Sequence, residues 1–199
     1  AYPTAETPRT LETVSRCMAS FVAAQDTLET GLNNIGCVFH PLPTLLNIGW
    51  IETERTNFKH YYEGITPTVA ALIEQLDAER MAIGRRLGAR VFSARQWLAD
   101  TYGSQGDSLY SALQATTCYA TVDAPRSIDH RYLSEDVPTG LVPLAALGAH
   151  LGVDTPIIDL AIDLANATCQ TDFRATGRSL EQLQLEGKSA EEIRQRVTR

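Results

Sequence analysis

The stretch TPTVAALIEQLDAERMAIGRRLG, Thr66 to Gly88, decides the fold. Thr66 and Pro67 supply an N-cap and a first-turn proline, and Val69, Leu72, Ile73, Leu76, Ile83 and Leu87 then recur at helical spacing until Gly88 ends the run. One long amphipathic helix needs other helices to cover its stripe, and the rest of the chain offers them. Ser93 with Gln96 opens a helix through Trp97 and Leu98 that Gly103 ends, and Asp107 is positioned to cap another carrying Leu109, Tyr110 and Leu113. Leu141 to Leu151 runs to Gly152, Thr155 and Pro156 start a helix with Ile157, Leu160, Ala161 and Leu164, and Ser179/Gln182 and Ser189/Glu192 mark two short closing helices. No region alternates with period two long enough to be a sheet, so residues 27–199 read as an all-α domain of about eight helices.

Residues 1–26 read differently. Thr7 and Pro8 open a helix with Leu11, Val14, Met18 and Phe21 on one side, and Phe21 to Ala24 is short and strand-like. A lone helix and strand cannot bury their apolar sides, so this piece is expected to be the remnant of an α/β domain whose main body lies outside the 199 residues.

With 44% hydrophobic and 21% charged residues, the composition is that of an ordinary globular protein, and a net charge of −7 argues against nucleic acid or an anionic membrane as partner. The sequence holds no apolar run long enough to span a bilayer and no signal-peptide pattern, and a cytoplasmic location is expected. Cys17, Cys37, Cys118 and Cys169 lack CxxC spacing and read as reduced, mostly buried thiols at which no metal site is expected, metal binding being the remote alternative.

Two breaks in the helical pattern carry candidate chemistry. FHPLPTLLN, Phe39 to Asn47, mounts His40 ahead of a proline, which fixes the next φ and biases His40 away from helical geometry. A histidine there is either an acid–base group or a packed side chain bonded to a carbonyl. His60, His130 and His150 have no such setting and read as surface or helix-face residues. HRYLSEDVPTG, His130 to Gly140, holds Arg131, Glu135 and Asp136 before a proline turn. Asp136 either caps that turn or accepts the imidazole N–H and fixes its tautomer, with Glu135 as its competitor. Arg131 can grip a substrate carboxylate through two parallel hydrogen bonds, or pair with Glu135 one helical turn away. Trp97 is a candidate pocket wall or a core residue. Asn33, Asn34 and Asn47 can reach substrate or satisfy helix-end backbone. No GxGxxG, GxxxxGK[ST] or HExxH is present, so no dinucleotide motif lies in these residues.

LETGLNNI, HPLPTLLN, YYEGITP, the DAER run at Asp77 to Arg80, RYLSEDVPTGLVPL, GVDTP and TDFRATGRSLEQL, in this order, resemble the C-terminal helical domain of the opine dehydrogenases, the octopine and nopaline dehydrogenase family. The resemblance implies a fold similar to the C-terminal domain of 6-phosphogluconate dehydrogenase, an N-terminal Rossmann domain binding NAD or NADP, and a possible homodimer. It implies reductive condensation of an amino acid with an α-keto acid such as pyruvate. The family's acid–base histidine is matched by His40, its orienting aspartate by Asp136 and a substrate-carboxylate arginine by Arg131; Asn47 and Trp97 are candidate substrate contacts on the reading of the residues alone. The alternatives are a non-catalytic helical dimerisation or interaction module and a same-fold enzyme that reduces a 2-keto acid without an amine.

Overall fold

The structure is a computed structural model that describes residues 2–53 and 57–198; residues 1, 54–56 and 199, which include both ends of the domain ranges above, lie outside the described residues. It is built on the expected central helix, α6 below. Before it come α1 (Thr7–Ser15), α2 (Thr27–Leu32), α3 (Gly36–Phe39), α4 (Pro41–Leu46) and α5 (Ile48–Ile51), then α6 itself (Pro67–Leu87). After it follow α7 (Ala94–Tyr102), α8 (Leu109–Gln114), α9 (Arg131–Ser134), a π-helical turn (Val137–Leu141), α10 (Val142–Leu151), α11 (Pro156–Cys169), α12 (Phe173–Thr176) and α13 (Ala190–Thr198). The single-turn helices α3, α5, α9 and α12 are too short for any apolar period to register, which is why the segments outnumber the eight expected.

Helix α6 starts at its threonine cap, Thr66 accepting from Val69 N–H at 3.3 Å, and ends at a left-handed Gly88. It buries Ala70, Ile73, Leu76, Ile83 and Leu87 against α3, α4, α8, α10, α11 and α13. Its acidic residues hold the ends of its neighbours. Glu74 accepts from Leu109 N–H at the start of α8 (3.0 Å), Asp77 from Ala94 N–H at the start of α7 (2.7 Å), and Glu79 from Ile157 and Ile158 N–H at the start of α11 (2.9 Å each). Each carboxylate meets the positive, donor-rich end of a helix. Arg80 is fully buried; it forks onto Asp77 Oδ1 and donates to the carbonyls of Leu32 and Phe92. The DAER run is therefore the hub that fixes α2, α7 and α11 around α6.

Several local expectations are corrected. Ser108, not Asp107, caps α8, because its hydroxyl forms a reciprocal box with Ser111. Ser179 and Gln182 make both bonds of a capping box, yet the chain only turns there, since Gln184 enters the left-handed region at φ 57°. Ser189 and Glu192 do open a helix, α13. Phe21 to Ala24 is unpaired coil: among the described residues the one β-type contact is the Lys59–Asp123 bridge, and a strand without a neighbour has no ladder to form. Of the cysteines only Cys37 is buried; Cys17 follows α1, which buries nothing, Cys118 lies on an exposed turn and Cys169 is half-buried.

Candidate functional site

The two breaks meet. His40 sits between α3 and α4 with φ −101° and ψ −51°, inside the helical region, contrary to the bias expected before a proline. The bias is overcome because helical hydrogen bonding continues on both sides: His40 N–H bonds Gly36 O at 3.0 Å, and His40 O accepts from both the N–H and the hydroxyl of Thr44. What the prolines remove are two donors. Pro41 and Pro43 cannot reach back to the carbonyls of Cys37 and Phe39, and the helix axis breaks there. His60 Nε2 takes up the freed Phe39 carbonyl at 3.4 Å.

Asp136 precedes the π-helical turn, in which Val142 N–H reaches back to Val137 O. The widened turn and α3 can touch only because residue 140 is glycine: a Cβ on Gly140 would lie 2.5 Å from Cys37 Cβ. This close approach brings Asp136 Oδ2 to 2.7 Å from His40 Nδ1. The carboxylate assigns the proton to Nδ1, leaving Nε2 as the nitrogen free for proton transfer. Nε2 faces the Tyr61 hydroxyl at 3.0 Å. The Tyr132 ring lies flat on the imidazole, centroids 3.9 Å apart and planes 12° from parallel. The His40 side chain is 16% exposed and that of Asp136 6%, so the pair is shielded but not sealed from solvent.

His60 is corrected from a surface residue to a buried one at 1% exposure, and burial drives its pKa down to about 4. It is a neutral neighbour of His40, ring centroids 6.2 Å apart. His130 caps α9 by accepting from Tyr132 N–H, and partial burial holds its pKa below the usual histidine value. His150 is half-buried on α10, its Nε2 meeting Lys188 O at 2.6 Å. Burial pushes the Tyr61 hydroxyl far above the ordinary tyrosine range, as do the neighbouring Tyr132 and Tyr102. Burial likewise raises the Cys37 thiol to about 12, which makes it a packed side chain rather than a nucleophile.

Arg131 stands at the start of α9, its side chain 62% exposed, forking onto Glu135 at 3.0 and 3.2 Å. That pairing takes Glu135 out of competition with Asp136 for the imidazole and holds its carboxyl below the usual range. Asn47 spends its amide on the Pro43 and Gly64 carbonyls (2.8 and 2.9 Å), and Trp97 packs edge-on against Phe39 and Tyr102. Tyr61, Tyr132 and His60, which sequence reasoning passed over, complete the surroundings of His40. The only signal for them was their place in the YYEGITP and RYLSEDV stretches; nothing local pairs residues so far apart in the chain.

A shielded imidazole–carboxylate pair at a helix junction is an arrangement suited to moving protons. The family model described as the alpha-helical domain of NAD/NADP octopine/nopaline dehydrogenase matches residues 23–169, and the chain belongs to this family. It is 42% identical over 195 residues to an opine dehydrogenase of Arthrobacter sp. (strain 1C), covering 98% of this chain and 54% of that protein. It is also 29% identical to the Protein ocs of Agrobacterium tumefaciens (strain Ach5), over 81% of this chain and 45% of the relative. The chain thus spans about half the length of the curated relatives it matches. A solved octopine dehydrogenase in complex with NADH and agmatine superposes with a TM-score of 0.73 at 21% identity, over 92% of this chain and 53% of that one, which shows the shared fold.

Proposed function

We propose that the chain is the substrate-binding and catalytic domain of an NAD(P)-dependent opine dehydrogenase, which reductively condenses an amino acid with an α-keto acid such as pyruvate. The observation that carries this reading is the 2.7 Å contact between His40 and Asp136, the two residues that match the family's acid–base pair. Solved relatives described as complexes of NADH with L-arginine or with pyruvate supply the substrate classes.

His40 moves the protons. Condensation needs a neutral amine, and the keto oxygen must gain protons to leave as water; an imidazole held at Nδ1 by Asp136 serves both through Nε2. Asp136 holds the tautomer and offsets the charge when the ring takes a second proton. Arg131 orients the keto-acid carboxylate. Its present partner, Glu135, occupies the geometry that a substrate carboxylate would take, and because both side chains are exposed the exchange costs little. The donor set fits the protic half of the reaction, and the nicotinamide, when bound, supplies the hydride. The cofactor is held mainly by an N-terminal Rossmann domain, of which residues 1–26 are the end; α1 buries no residue, and Met18, Phe21 and Val22 are exposed, as apolar groups awaiting that domain would be.

The test uses the full-length enzyme and follows NAD(P)H oxidation with pyruvate, with and without amino acids. Oxidation is expected only with both substrates, and His40→Ala is expected to lower turnover by about 100-fold or more while cofactor affinity stays close to wild type. Wild-type turnover in the variant overturns the assignment of His40; oxidation with pyruvate alone overturns the condensation.

A further inference from the structure

An acid–base histidine must keep one orientation while its charge changes, and the two nitrogens of His40 are served very differently. Nδ1 faces Asp136, which only accepts and therefore needs the N–H in either state. Nε2 is bare when the ring is neutral and carries a proton when it is charged, so a donor-only or acceptor-only partner would fit one state and oppose the other. The group found there is a hydroxyl, Tyr61, 3.0 Å away.

We propose that Tyr61 is the positioning residue for the working nitrogen of His40, its hydroxyl donating to Nε2 when the imidazole is neutral and accepting from it when the imidazole is charged. This deepens the reading above and rests on it. A phenol is the side chain for the task because its O–H rotates about the C–O bond without moving the ring. The ring itself is immobilised: Tyr61 is 5% exposed, stacked on Tyr119 at 4.0 Å and 13°, and packed edge-on against Phe39 and His60. Its backbone is held as well, since His60 N–H bonds Val122 O and Ala124 N–H bonds Phe58 O, which pins residues 58–62 against the segment carrying Tyr119. The hydroxyl does not ionise in the working range, because burial holds it far above ordinary tyrosine. It therefore acts as a neutral, reversible hydrogen-bond partner and not as a base. Of the other groups that face the imidazole, Asp136 takes Nδ1, Tyr132 stacks on the ring face with its hydroxyl beside that of Tyr61, and His60, His130 and Glu135 act on the ring at a distance.

The consequence for turnover is specific. When the substrate oxygen approaches Nε2, the Tyr61 hydroxyl yields or shares the site, so its loss affects the proton-transfer steps and leaves the binding of amino acid and keto acid alone.

The experiment uses the full-length enzyme with Tyr61→Phe, which keeps the stacked ring and removes the hydroxyl, beside Tyr119→Phe, which removes a neighbouring buried hydroxyl that does not touch His40. We expect Y61F to lower kcat about tenfold, the size of one ordinary hydrogen bond, with KM for both substrates within about twofold of wild type. Y119F should keep wild-type kcat. His40→Ala is run in parallel. A Y61F enzyme with wild-type kcat, or a Y119F enzyme that falls as far as Y61F, overturns the role of Tyr61 while an inactive H40A leaves the histidine in place; an active H40A overturns the underlying reading itself.

Discussion

Lowering the pH should destabilise this domain through His60. In the folded chain the ring is buried, and its pKa is depressed from 6.5 to about 4, chiefly by burial, with His40 and His130 adding to the effect. A depressed histidine pKa means that the unfolded state binds the proton first. The stability that depends on a neutral His60 is present above about pH 6.5 and is lost progressively as the pH falls toward 4. Between those two values each step of one in pH removes about 1.4 kcal/mol, so the loss is about 2 kcal/mol between pH 7 and pH 5 and approaches about 3 kcal/mol near pH 4. The assay is urea unfolding of the chain at pH 7 and pH 5, a window in which most carboxylates do not titrate, for wild type and His60→Gln. Glutamine keeps a donor for the Phe39 carbonyl but has no proton to gain. The difference between the two pH values should shrink by about 2 kcal/mol in the variant. If wild type and variant lose the same stability over this window, His60 is not held neutral by its surroundings.

Three further outcomes follow from the geometry. Arg80→Met leaves Asp77 buried without its cation and should cost about 3 to 5 kcal/mol, read as a fall in the urea midpoint; a midpoint unchanged from wild type would place the stability elsewhere. Gly36→Ala puts a Cβ 3.1 Å from Asp136 Oδ1 and 3.5 Å from His40 Cε1, so in the full-length enzyme it should lower kcat by about tenfold while unfolding stability stays within about 1 kcal/mol; unchanged kcat would mean that the pair tolerates displacement. Arg131→Lys should raise KM for the keto acid by about tenfold, because one ammonium cannot reproduce the fork, and an unaltered KM would remove Arg131 from substrate binding.

The fold was legible wherever a periodic apolar stripe ended in a recognisable cap. Thr66, Ser93 and Pro156 mark starts that the structure keeps, and Gly88, Gly103 and Gly152 mark the ends. Legibility failed for single-turn helices and for Ser179/Gln182, where a correct local capping box meets a backbone that the next residues turn away. It failed for His60 because a histidine on a short loop carries no burial signal. What buries it is a carbonyl left open by Pro43, and that can be seen only once residues 58–62 are folded onto α3.

For the site, the two breaks could be read as unusual, but their meeting could not. The contact of His40 with Asp136 depends on two glycines: Gly140 lets the π-helical turn lie against Cys37, and Gly36 leaves room for the Asp136 carboxylate. Neither glycine is marked by its neighbours as anything but an ordinary helix residue. The same close approach accounts for the choice between Asp136 and Glu135, which was open from sequence. Adjacent residues at a helix end point in different directions, and α9 turns Glu135 outward to Arg131 while the π-helical turn directs Asp136 inward to the imidazole. A residue inserted or deleted between Asp136 and Gly140 would rotate the preceding segment by about 100° relative to α10 and turn Asp136 away from the imidazole, so the length of this turn, as much as the identity of its acid, selects the partner of His40.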